Sequence, residues 1–142
     1  MFLLLALFMY SCDSSVDTQA LKNEVLDVHD EIMPKMGEVM SLRKKILVMS
    51  KQTASIDNYD QSVVNSLDSL ADALAGANRG MLSWMTDWSN NSSNFLDQDG
   101  KPIEGVTVEA VVKYLEGEKQ RMLKVNEHFD SSISTAKEVL SK

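Results

Sequence analysis

The chain has 142 residues, with 14 Lys and Arg set against 21 Asp and Glu, which leaves a formal net charge of -7. That length holds one domain, or one domain and a tail, and the acidic balance excludes a general nucleic-acid binder, which needs a basic face. The single cysteine forbids a disulfide within one chain, and two Pro and six Gly are too few for a low-complexity linker.

Residues 1–12 read Met-Phe-Leu-Leu-Leu-Ala-Leu-Phe-Met-Tyr-Ser-Cys, and no charged side chain precedes Asp13. The apolar run falls short of the roughly 20 residues that a spanning helix needs and matches the apolar core of a signal peptide. It ends at Ser11-Cys12, and a polar stretch, Asp13-Ser14-Ser15-Val16-Asp17, follows. This boundary resembles the lipobox of bacterial lipoproteins. The resemblance implies cleavage after Ser11, with Cys12 becoming the first mature residue and carrying the lipid. The match is degenerate: Met9 and Tyr10 stand where that family prefers Leu and a small residue, and a basic start is missing. On this reading 1–11 is a signal peptide, 12–17 a flexible tether and 18–142 the working domain.

The first helix is predicted over 18–56. Its apolar seam is Leu21, Val25, Val28, Ile32, Val39, Leu42, Ile46 and Met49, in steps of three and four with only Lys35 interrupting, the period of a coiled-coil-like stripe. A second stripe, His29, Met33, Met36, Met40 and Leu47, widens the apolar face. Pro34 lacks an N–H and crowds the carbonyl of Asp30, so a kink is expected; the pattern keeps its phase across it, as one bent helix would.

The second helix is predicted over 59–89, capped by Asp57 or Asn58, with the seam Val63, Leu67, Leu70, Leu74, Ala77, Met81, Trp84 and Trp88. Gly76 and Gly80 leave a thin patch for a close neighbour. Residues 89–106 read as a long loop, which Phe95, Leu96 and Ile103 pin to the bundle. The third helix, over 107–140, is capped by Thr107. Its seam is Val108, Val111, Leu115, Met122, Val125, Phe129, Ala136 and Val139, interrupted by Glu118 and Ser132.

No strand pattern competes. The fold expected is all-α: an elongated up-down-up three-helix bundle with a long loop between helices 2 and 3. Counting heights along an antiparallel hairpin sets Met33 level with Met81, His29 with Met85, and Met40 with Leu74.

Candidate chemistry is sparse. His29, Met33, Met81 and Met85 offer imidazole and thioether groups at one level, a soft-ligand set of the kind that holds Cu(I). The competing reading is a methionine-filled core around Trp84 and Trp88. Asp97-Gln98-Asp99-Gly100 looks like part of a calcium loop, but Phe95 and Val106 stand where ligands are required, and a turn at Gly100 explains it better. No nucleophile elbow, metalloprotease motif or phosphate loop occurs, so an enzyme is not expected and no cofactor is implied. Met36, Met40, Gly76 and Gly80 form a candidate partner surface.

Three stretches, Val28-His29-Asp30-Glu31-Ile32-Met33-Pro34-Lys35-Met36-Gly37, Met81-Leu82-Ser83-Trp84-Met85 and Tyr114-Leu115-Glu116-Gly117-Glu118-Lys119, together resemble a family of small helical Gram-negative lipoproteins, some labelled viral A-type inclusion protein. The resemblance covers most of the chain after Cys12. It implies a helical build and an envelope location, with the membrane reached through an N-terminal lipid; an unidentified envelope protein as partner is the expectation of the candidate partner surface alone. The resemblance assigns no activity to any residue.

Overall fold

The structure, a computed structural model, describes residues 16–142. Cys12, the 1–11 leader and the tether as far as Ser15 lie outside the described residues. Four α-helices follow in order: α1 (Thr18–Ile32), α2 (Lys35–Ala54), α3 (Gln61–Asn91) and α4 (Val108–Leu140), with a 3₁₀ turn over Ser92–Asn94. Among the described residues there is no strand beyond one isolated bridge between Leu96 and Pro102. The chain is all-α.

Side-chain caps set the helix starts. The Asp17 carboxylate accepts from the N–H groups of Gln19 and Ala20 at 3.0 and 3.1 Å, satisfying two donors that a helix N-terminus leaves free. Thr107 caps α4 through its hydroxyl, 3.2 Å from the Ala110 N–H. For α3 the cap is Asp60, 2.8 Å from the Ser62 N–H, rather than Asp57 or Asn58. Asn58 instead takes a φ of 60°, a left-handed turn position that asparagine tolerates; it reverses the chain before the helix begins.

The expected 18–56 helix is divided at Met33 and Pro34. Both residues keep right-handed helical angles (φ -50°, ψ -44° and φ -63°, ψ -27°). Only the hydrogen-bond ladder breaks, because proline has no N–H to offer Asp30. The rod therefore bends without losing its helical phase. The bend separates two packing jobs: α2 lies mainly on α3, while α1 lies on α4.

Named pairs give the directions. Glu24 meets Lys119, Glu31 meets Asn126 and Lys35 meets Asp130, so α1 and α4 run the same way. Asp87 meets Arg121, Gly80 faces Val125 and Gly76 faces His128, so α3 and α4 run in opposite senses. Ser50 on α2 meets Asp68 on α3 across the hairpin.

The core is the one drawn by the seams. Val25, Ile32, Val39, Ile46, Leu74, Met81, Val111, Leu115, Met122 and Phe129 are fully buried. Glu118 and Ser132 do sit in the seam of α4, both buried. Two differences occur at the start of α3. Val64 and Ala71 are buried, while Val63 is 44% exposed. There α3 turns its apolar face to α2 alone, and the side that would meet a third helix stays open. On α4 the seam residue Val108 is likewise 43% exposed, and Ile133, off the seam, is buried. Of the second stripe, Met33 and Met40 are exposed and His29, Met36 and Leu47 are half-buried.

Candidate functional site

Aromatic side chains gather where α1 swings onto α4. His29 tilts against Trp84 with ring centroids 5.5 Å apart. Trp84 stacks on Trp88 at 5.3 Å, Trp88 on Tyr114 at 6.0 Å, and Tyr114 on Phe95 at 4.3 Å. The ladder crosses α1, α3, α4 and the loop. Trp84 and Trp88 share one face of α3 because they are four residues apart. Phe95 is delivered by the 3₁₀ turn, whose Ser92 carbonyl accepts from the Phe95 N–H at 3.0 Å.

The loop is held by its own polar groups. The Asp97 carboxylate accepts from the Asp99 and Lys101 N–H groups at 3.0 and 2.8 Å. Gly100 closes the turn at φ +83°, a conformation that glycine adopts without a steric penalty. The Asp97–Gly100 fragment is thus a turn that clamps the loop to α1, where Lys22 donates to the Gln98 carbonyl.

A groove of about 460 Å³ opens beside the ladder, lined by Phe95, Ala110, Tyr114, Gly117 and Glu118, with Lys113 and Arg121 at its edges. Arg121 bridges two carboxylates: it donates to Asp87 at 2.7 Å and to both oxygens of Glu118 at 3.3 and 3.4 Å. The Asp87 hydrogen bond and Glu118 hold the guanidinium pKa above its ordinary value against the opposing effect of burial. Burial, helped by Glu118 and Asp87 and opposed by Arg121, pushes the Tyr114 phenol up to about 12. The Trp84 indole Nε1 is buried with no hydrogen-bond partner among the described residues, an unsatisfied donor inside the ring stack.

His29 lies against Trp84, the residue before the Met85 with which the level counting paired it. Its Nδ1 is 2.8 Å from the Asp30 carboxylate. The proposed soft ligands lie at different depths: Met81 is fully buried, Met85 half-buried, and Met33 38% exposed at the bend. Among the described residues no three His, Cys, Asp or Glu side chains converge as a metal-ligand set. His128 stands against Gly76 on α3, eight residues from Trp84, or roughly 12 Å along the axis. The two histidines are therefore on separate levels.

Gly76 and Gly80, read as part of a partner surface, are covered by α4. A Cβ on Gly76 would lie 3.2 Å from His128 Cε1, and one on Gly80 would lie 3.7 Å from Val125. The close neighbour those glycines admit is the chain's own last helix. Met36 packs half-buried on the core, and Met40 is exposed.

One feature escaped the sequence reading. The helix α2 carries Lys35, Arg43, Lys44, Lys45 and Lys51 against the single acid Glu38. Summing charge helix by helix, rather than over the acidic whole, exposes it.

No protein-family model, curated protein or solved structure matches the chain.

Proposed function

We propose that the chain is a lipid-anchored helical module of the cell envelope, periplasmic or surface-exposed, that acts by binding or scaffolding another envelope protein. The observation that carries this reading is the boundary at Cys12: an apolar run, a small residue, the only cysteine, and an abrupt polar switch. No helix among the described residues is long and apolar enough to cross a membrane. Attachment then falls to the lipid, at about 0.8 kcal/mol per buried methylene. Acyl chains on Cys12 stand a few residues before α1, with 12–17 as the tether.

The arrangement proposed beyond the anchor is an up-down-up three-helix bundle, with the bent α1–α2 rod as its first member and the 95–107 segment as its long loop. The parallel register of α1 with α4 and the opposed registers of α3 support it. Such a rod offers grooves and rims along its length, the raw material of a scaffold.

Replacement of Cys12 by Ala tests the anchor. The native chain should take up labelled palmitate and sediment with membranes, while Cys12→Ala should lose the label and enter the soluble fraction. Unchanged fractionation with no label in either form overturns the reading.

A further inference from the structure

Around Leu140 the helix α4 stops short of the α2–α3 hairpin end. Leu140 and Ser141 reach Ser41, Leu42 and Lys45, yet α2 continues to Ala54. Nine further residues add roughly 13 Å. Over that length two helices stand without the third that covers them elsewhere, and nothing among the described residues lies on their open side.

The face left open is the one that α4 occupies lower down. On α2 the side that meets α4 passes through Glu38, which Lys137 contacts at 2.6 Å, and Leu42. It continues by threes and fours to Lys45, Met49 and Gln52. On α3 it passes through Gly80 and Gly76, against Val125 and His128, and continues to Ala73, Leu70, Ser66 and Val63. Val48 is 47% exposed and Val63 44%. On the α2 side a groove of about 490 Å³ runs on from Leu140 along Ser41, Lys44, Lys45, Val48, Met49 and Gln52.

Charge identifies the occupant. Arg43, Lys44, Lys45 and Lys51 have no ion-pair partner among the described residues, a state they share with Lys22, Arg79, Lys101, Lys113 and Lys124; what sets these four apart is that all lie on one helix. No acid follows Glu38 on α2. We infer that the hairpin end receives an amphipathic helix with acidic flanks from a partner protein, laid along the track that α4 leaves open. Its apolar stripe covers Val48, Met49, Leu70 and Val63, and its carboxylates meet Lys44 and Lys45, which line the groove.

Other occupants fit less well. A second copy would set the same unpaired lysines against one another. An anionic membrane would meet a concave track rather than a flat face. In the anchored reading this end is also the far end of the bent rod from α1, roughly 55 Å along its axis at 1.5 Å per residue over 18–54.

The inference rests on the chain being a binding module and deepens that reading. The probe is a labelled synthetic helix of about 14 residues, or roughly 21 Å, with Leu at i, i+3, i+4 and i+7 and Glu elsewhere. It is offered to the full-length protein in detergent. Binding is expected, with at least about tenfold weakening by Lys44→Glu with Lys45→Glu, and again by Val63→Asp, as truncating one side of a paired interface does. All three positions are exposed, and circular dichroism checks that the variants fold. Equal binding by native and variant chains overturns the inference. So does dimerisation that Val63→Asp abolishes, or capture of the hairpin end by phosphatidylglycerol vesicles in preference to the peptide. A photo-crosslinking residue in place of Val63, Val48 or Lys113 separates the two readings in cells. Crosslinks from 48 and 63 that fade with the lysine reversal support the inference. Crosslinks from 113 alone overturn it and leave the binding module standing. Crosslinks from none overturn both.

Discussion

Phe95 and Tyr114 lie face to face, with centroids 4.3 Å apart and planes inclined by 5°. The pair fastens the loop to α4, and it also caps one side of the Tyr114 ring. Burial is the leading cause of the raised Tyr114 phenol, at about 12 against an ordinary 10.0. Phe95→Ala should therefore bring the phenol back towards its ordinary value and cost about 0.5–1.5 kcal/mol of pair energy beyond the area lost. Because the folded state holds the phenol proton more tightly than the unfolded chain does, this contribution is whole below pH 10 and fades as the pH climbs through about 12. A phenolate absorbance titration and urea melts at several alkaline pH values check both statements. A late-titrating tyrosine that persists in Tyr114→Phe would assign the shift to another residue.

Glu118 occupies a seam position of α4 at 8% exposure, with the Arg121 guanidinium as its only side-chain partner among the described residues. Desolvating a carboxylate costs several kcal/mol, and one hydrogen-bonded ion pair seldom repays more than that. Arg121 keeps its 2.7 Å contact to Asp87 when Glu118 is gone. Glu118→Met should accordingly be neutral or stabilising, with a melting temperature equal to or above that of the native chain. It should also relax the Tyr114 phenol downwards, since Glu118 is the second cause of its shift. A clear fall in melting temperature would mean that the carboxylate holds more of the local structure than Arg121 alone.

Lys35 follows the bend directly and ties α1 to α4. Its Nζ donates to Asp130 at 2.7 Å, to Asn126 at 2.9 Å and to Glu31 at 3.3 Å, with the side chain 22% exposed. Burial depresses its ammonium pKa, but hydrogen bonds to Asp130 and Glu31 outweigh that and raise it above 10.5. Asn126 first, and then Lys35, hold Glu31 below its ordinary 4.5. The cluster should be whole between those two ordinary values. It should weaken as the pH falls through the lowered Glu31 pKa, and again as it rises through the raised Lys35 pKa. Lys35→Met keeps the apolar stem and deletes the donors. A loss of about 1–2 kcal/mol is expected, read from urea melts at neutral pH and shrinking towards both ends of the pH scale.

The helices and most of the core were legible in the sequence because burial obeys the helical period. Leu67, Leu74, Ala77, Met81 and Trp84 are buried as their spacing requires. The Val63 position was not legible, since a seam records which residues could face a neighbour and not how far that neighbour extends. The division at Met33-Pro34 was half legible: proline foretold the bend, but the transfer of α1 from the α3 side to α4 depends on its direction. The ladder from His29 to Phe95 joins four separate segments, and its stacking depends on their relative rotation, which no local period encodes. The glycines of α3 were legible as a place where a neighbouring helix comes close, but not that the neighbour is α4.

Those glycines, with Gly117, allow a graded test of the packing. Each costs roughly 1 kcal/mol of helix propensity relative to Ala. At Gly117 a Cβ meets nothing within 4 Å, and at Gly80 it meets Val125 at an ordinary 3.7 Å. Both Gly117→Ala and Gly80→Ala should stabilise, by about 0.5–1 kcal/mol. At Gly76 the new carbon lies 3.2 Å from the His128 ring. That exposed side chain must shift, so Gly76→Ala should fall near zero. At Gly100 the neighbour is the Gln19 backbone at 3.1 Å, and φ is +83°. Gly100→Ala meets strain and an unyielding contact together, so it should destabilise by more than about 1 kcal/mol. Urea melts of the four variants should give the order Gly117 and Gly80 above Gly76, with Gly100 last. If Gly76→Ala stabilised as much as Gly117→Ala, α4 would not press on α3 at His128, and the close approach at that level would be wrong.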